Sequence, residues 1–177
     1  DGSHALWAPD VCRGNDGKYY LYYMGTTYAG EIPGIGDTIA DERGQEVWNR
    51  KRIGLAVADS IEGPFIRQDK PLLEPRDCSH WDCTITTNPS GVILPDGKTY
   101  MIYKSRSGVG QPLQLGIAVA EQPEGPFRRL TEDPILRFAD ENLHVEDPFI
   151  WYDVRKEKFC LIAKDDCKNG SPGITGE

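Results

Sequence analysis

The chain has 177 residues and a formal charge of −8, with 38% hydrophobic and 27% charged side chains. That balance is the composition of a folded globular protein and argues against a nucleic-acid partner, whose phosphates require a basic face. No apolar run approaches the roughly 20 residues of a membrane-spanning helix, so no membrane partner is expected.

Taken in chain order, the sequence repeats itself. Trp7-Ala-Pro-Asp-Val leads through Asn15-Asp-Gly-Lys into the Tyr-rich run Tyr19 to Met24. Asn88-Pro-Ser-Gly-Val leads through Pro95-Asp-Gly-Lys into Thr99 to Lys104, and Pro9 to Lys18 and Pro89 to Lys98 are both nine steps. Glu146-Asp-Pro-Phe-Ile-Trp begins a third copy that passes through Asp153 to Lys158 into Phe159 to Ala163. Each copy predicts a strand, a turn and a second strand, and Asp-Gly between β-rich runs is a strong hairpin signal.

The first two copies continue in step. Gly54-Leu-Ala-Val-Ala matches Gly116-Ile-Ala-Val-Ala, and both lead to Glu-Gly-Pro-Phe, again with nine steps from Gly54 to Gly63 and from Gly116 to Gly125. This predicts a third strand, a Gly-Pro turn and a short fourth strand. Four antiparallel strands repeating at about sixty residues predict the blades of a β-propeller in an all-β fold. The expected blades are 6–72, interrupted by a Gly-rich insertion over 25–51, then 86–130, then a partial blade at 145–165. The third copy is expected to stop after its second strand, which makes about two and a half blades of a larger wheel. The insertion is either a surface excursion or a lid that offers Trp48 to a ligand.

The cysteines at 12, 78, 83, 160 and 167 are odd in number and show no zinc spacing. Cys160 sits in an apolar run and reads as a small buried hydrophobe. Cys78 could pair with Cys83 or Cys167, and a disulfide and reduced thiols remain equal alternatives.

The blade starts Trp7-Ala-Pro-Asp-Val, Asn88-Pro-Ser and Val145-Glu-Asp-Pro, each ahead of an aromatic strand, resemble the five-bladed propeller glycosidases. The nearest group is glycoside hydrolase family 43 with its sucrase-like and arabinosidase-like relatives, in a clan related to families 32 and 117. The resemblance implies a hydrolase of glycosidic bonds on a plant or microbial oligo- or polysaccharide. It implies a funnel lined by first strands and three acids: a base in the first blade, an Asp that tunes pKa in the third, and a Glu general acid in the fourth. On that alignment this chain runs from the second blade into the fourth. The base would come from upstream, and the chain alone is expected to be inactive. No cofactor is required, and a structural calcium is compatible with the resemblance. Oligomeric state is left open; secretion or the periplasm is the favoured location.

The resemblance puts the general acid at Glu146, where a carboxylic acid would protonate the departing glycosidic oxygen. Its neighbour Asp147 is expected to point to the opposite strand face. Asn88 stands where the family has the tuning Asp, and an amide can orient or hydrogen-bond but supplies no charge. The alternative function is therefore a carbohydrate-binding propeller that has lost catalysis. Asn88 otherwise reads as an extended residue before proline. Asp10 is a further candidate acid, either in the funnel or behind its lining. Trp7 and Trp48 are candidate sugar platforms, and Trp151 reads as core. Arg52, Lys104 and Lys164 are candidate substrate contacts, and each also reads as an ordinary strand-end residue. His4 and His144 either bind a hydroxyl or a central cation, or are simply hydrogen-bonded in loops.

Overall fold

The computed structural model describes residues 4–27, 47–138, 143–165 and 174–176, with backbone alone at 4–5 and 174–176. Three antiparallel sheets follow one another along the chain. The first is β1 (His4–Arg13), β2 (Tyr19–Thr26), β3 (Arg52–Ala58) and β4 (Ile66–Arg67), in that order. The second repeats it with β5 (Thr87–Ile93), β6 (Thr99–Ser105), β7 (Gln114–Ala120) and β8 (Arg128–Arg129). In the third, β10 (Lys158–Asp165) lies between β9 (Val145–Asp153) and β11 (Ile174–Gly176). The third copy thus continues past its second strand, and Ile174–Gly176 pairs with Leu161 to Ala163.

Local chemistry sets the hairpins. Asp16 and Asp96 each accept a hydrogen bond from the N–H two residues on, at Lys18 and Lys98. Gly17 and Gly97 follow at φ of 86° and 90°, a conformation in which a Cβ is penalised. In the third hairpin Glu157 takes that place at φ 53°.

The sheets stack face to face, and strand alternation decides which neighbour each side chain meets. Met101 and Tyr103 on β6 join Tyr20, Tyr22, Ile53 and Leu55 in a core between the first and second sheets. Ile102, between them in sequence, joins Val145, Ile150 and Ala163 in a core between the second and third. The repeated glycines of the third strands have a packing cause. Tyr23 lies opposite Gly54 and Tyr103 opposite Gly116. A Cβ on either glycine would come within 2.5 Å of the tyrosine ring. The Tyr103 hydroxyl then donates to Asp82 at 2.8 Å, and Asp82, fully buried, also pairs with Arg76 and Arg129. Burial works to raise the Asp82 pKa, but the hydrogen bonds from Arg129, Arg76 and Tyr103 outweigh it and hold the group below the usual carboxylate range.

The inner strands share an irregularity that the sequence rules did not anticipate. Ala8, Asn88 and Asp147, each directly before a proline, have φ of 50°, 46° and 47°. Asn88 is therefore not extended as a residue before proline is expected to be. In each sheet three steps along the inner strand match two along the next: Trp7 to Asp10 against Met24 to Tyr22, Thr87 to Ser90 against Lys104 to Ile102, and Glu146 to Phe149 against Lys164 to Ile162. That is a β-bulge at one position, three times over. Non-glycine residues at positive φ are costly and persist where the surroundings over-determine them, often at functional sites.

Candidate active site

The three bulges come together. Ala8, Pro9 and Asp10, with Asn88, Pro89 and Ser90, and Asp147, Pro148 and Phe149, line one cleft of about 220 Å³. Within it the Asn88 amide donates to Asp147 Oδ1 at 2.5 Å. Thr87 Oγ1 fixes the amide orientation by donating to Asn88 Oδ1 at 2.9 Å. The bulge interrupts the two-residue alternation, so the expectation that Asp147 turns away from Glu146 is corrected. Asp147 reaches Asn88 on β5, and Glu146 reaches Lys104 on the neighbouring β6.

Glu146 and Lys104 form an ion pair at 2.7 Å, with the lysine side chain 2% exposed and the glutamate 19%. Asp10 lies in the cleft but is engaged as a latch. Its Oδ2 accepts from Gly91 N–H at 2.6 Å, joining the first sheet to the second. Ser90, at the same place in the next bulge, accepts from Ile150 N–H at 3.0 Å and joins the second to the third. Burial raises the Asp10 pKa, against smaller opposing hydrogen bonds from Gly91, Ser90 and Val11.

Two side chains that meet the Trp48 ring were not singled out from the sequence. Lys51, 1% exposed, holds its Nζ 2.8 Å from the Trp48 ring centroid and 4.5 Å from that of Trp7. Burial above all, then the charges of Lys104 and Arg106, push its pKa down to about 7 against the pull of Glu146. Arg106 lies 5.6 Å from the Trp48 ring and donates to Asn49 Oδ1 at 3.2 Å. The signal for Lys51 was its place between the Trp48 of the insertion and the first residue of β3.

The other candidates are placed apart. Arg52 pairs with Glu74 at 2.9 Å and donates to the carbonyls of Asn49 and Lys51, beside a separate cleft that it shares with Tyr23 and Gln68. Lys164 lies opposite Glu146 in register, and exposed. His144 accepts from Leu113 N–H through Nδ1 at 3.0 Å, which puts the ring proton on Nε2. The His4 side chain lies outside the described residues. Trp151 is partly exposed and stacks on Phe149 with centroids 6.0 Å apart. The returning end of the insertion is fastened, with Val47 buried and its carbonyl accepting from Thr26 Oγ1 at 2.9 Å. The rest of the expected lid, 28–46, lies outside the described residues. Cys12, Cys78, Cys83 and Cys160 are free thiols, Cys160 is buried, and Cys167 lies outside the described residues. Among the described residues no three His, Cys, Asp or Glu gather as a metal site. No described helix is long and apolar enough to cross a membrane.

No protein-family model matches the chain. It is 35% identical over 114 residues to an extracellular endo-α-(1→5)-L-arabinanase of Bacillus subtilis, which covers 60% of this chain and 20% of that protein. It is 30% identical over 101 residues to a xylosidase/arabinosidase of Humicola insolens, covering 57% of this chain and 22% of that one. Among solved structures, a family 117 glycoside hydrolase from Zobellia galactanivorans superposes on 94% of this chain with a TM-score of 0.67 at 23% identity. The fold is that of the family 43-like propeller glycoside hydrolases. A family 43 β-xylosidase/α-arabinofuranosidase from a compost metagenome shares this family 43-like fold, at TM-score 0.61 over 92% of the chain with 20% identity. The chain spans about a fifth of the length of those two curated relatives and 41% and 43% of the two solved structures.

Proposed function

We propose that this chain carries the acid side of a glycoside hydrolase site acting on a plant or microbial polysaccharide, with Glu146 as general acid. The observation that carries this reading is the row of three bulges, which brings Asn88 and Asp147 into one cleft with Glu146 directly beside them. The relatives named as arabinanases and xylosidases support the substrate class. An oxygen leaving group needs a proton as its bond breaks, and Glu146 is the carboxyl on the inner strand at the place the resemblance assigns to that task. Asp147 supplies the charge that Asn88 lacks, one sheet further on. Asp10 is not the base in this reading, because its carboxylate latches two sheets. The base comes from outside the described residues. Relatives named as extracellular favour export.

A non-catalytic carbohydrate-binding role is the alternative, and the buried Lys104 that ties down Glu146 favours it. Hydrolysis of arabinan and of aryl glycosides, compared between the wild type and Glu146→Gln, decides between them. Activity that is present and lost in the variant supports the enzyme. Both forms are assayed in the full-length protein that also supplies the base, and sugar binding without turnover in either supports the binding protein.

A further inference from the structure

Three cations converge where one carboxylate meets them. Lys51 and Lys104 are both buried, and Arg106 is partly so. Glu146 takes Lys104 at 2.7 Å. Lys51 meets two indole faces and, among the described residues, no carboxylate. Arg106 has one side-chain bond, to Asn49, and its Nε is buried with no partner. Buried charges are ordinarily paired, because desolvation is otherwise uncompensated. Among the described residues two positive charges are thus left over, in a chain whose net charge is −8.

We propose that Lys51 and Arg106 form a subsite for the anionic group of a sugar, a carboxylate or a sulfate, so that the polysaccharide recognised beside Glu146 is acidic. A guanidinium offers a planar fork to such an anion, and that of Arg106 is only partly buried. Trp7, 41% exposed, presents a flat apolar surface beside Lys51 for the sugar ring that bears the anion. An anion here would also relieve the mutual repulsion of Lys51, Lys104 and Arg106, which Glu146 offsets only in part. The inference rests on the reading of this site as a glycan site, but needs no turnover.

The test is binding to the full chain at pH 6, followed by tryptophan fluorescence and calorimetry, with D-galacturonate, D-galactose 6-sulfate and D-galactose as probes. At least tenfold tighter binding of one or both acidic sugars over galactose is expected, and which one binds separates carboxylate from sulfate. Lys51→Met and Arg106→Met should each abolish that preference, with folding checked by circular dichroism. Either variant alone suffices should the other fail to fold. Galactose binding as tightly as both acidic sugars, a preference that survives in a folded variant, or no binding of any acidic sugar overturns the proposal. Glu146→Gln separates it from the hydrolase reading. Preference for the acidic sugar kept without turnover in any form of the protein sinks the hydrolase alone, and turnover of neutral glycosides with no preference sinks the anion subsite alone.

Discussion

Asn88 and Asp147, in neighbouring sheets, meet side chain to side chain at 2.5 Å, and both hold φ near 46° immediately before a proline. The amide where a tuning carboxylate is expected is thus not an empty substitution, because a carboxylate arrives from the next sheet. Asn88→Asp would set two carboxylates in hydrogen-bonding contact, where both cannot stay ionised. The variant should lose about 1–3 kcal/mol of stability at pH 7 and recover much of it near pH 4. Combining it with Asp147→Asn restores one donor and one acceptor, and should return the pH 7 stability. Denaturant melts of the two single variants and the pair check this.

Lys51 gives a pH dependence of definite sign. Its pKa is about 7 in the folded chain, below the ordinary lysine value of 10.5. Between those values the unfolded chain holds a proton that the folded chain does not, so stability rises with pH across that window. The penalty is fully present below pH 7. Lys51→Met should therefore be more stable than the wild type at pH 6, by about 1–4 kcal/mol, and the advantage should shrink toward pH 10. Thermal melts across that range read it directly.

Gly116→Ala tests the packing cause of the repeat. The added Cβ meets the Tyr103 ring at 2.5 Å, and that ring is 1% exposed and bonded to Asp82. A loss of about 1–3 kcal/mol is expected from overpacking. Gly54→Ala should cost less, because Tyr23, at 8% exposure, has more room to yield. Urea denaturation of both variants measures the difference.

Much of the architecture was legible because it repeats. The Asp-Gly turns, the Gly-Leu-Ala-Val-Ala and Gly-Ile-Ala-Val-Ala strands and the Gly-Pro-Phe corners are local signals, and two copies in register reinforce each other. The third strand at Ile174–Gly176 was missed because a polar, Gly-rich tail carries no alternation. Asp147 was misplaced for a different reason. Period-two alternation holds only while the ladder is regular, and nothing in Glu-Asp-Pro announces that the residue before proline takes a positive φ. Lys51 carried only the weak signal of its place between Trp48 and β3, because its other partners, Trp7, Lys104 and Glu146, come from three separate stretches of sequence. Asp10 reads as an acid in isolation, and only the distance to Gly91 N–H shows it latching two sheets.

The central claim is that Glu146 protonates a leaving group. The most direct measurement compares wild type and Glu146→Gln, both in the full-length protein that supplies the base, on two aryl arabinofuranosides, one with a poor phenolate leaving group and one with a dinitrophenolate that departs without a proton. The account predicts a loss of about 10²–10⁴-fold on the first and a far smaller loss on the second, since acid assistance matters only where the leaving group needs it. An equal fold-loss on both substrates, or no loss on the poor leaving group, would contradict it.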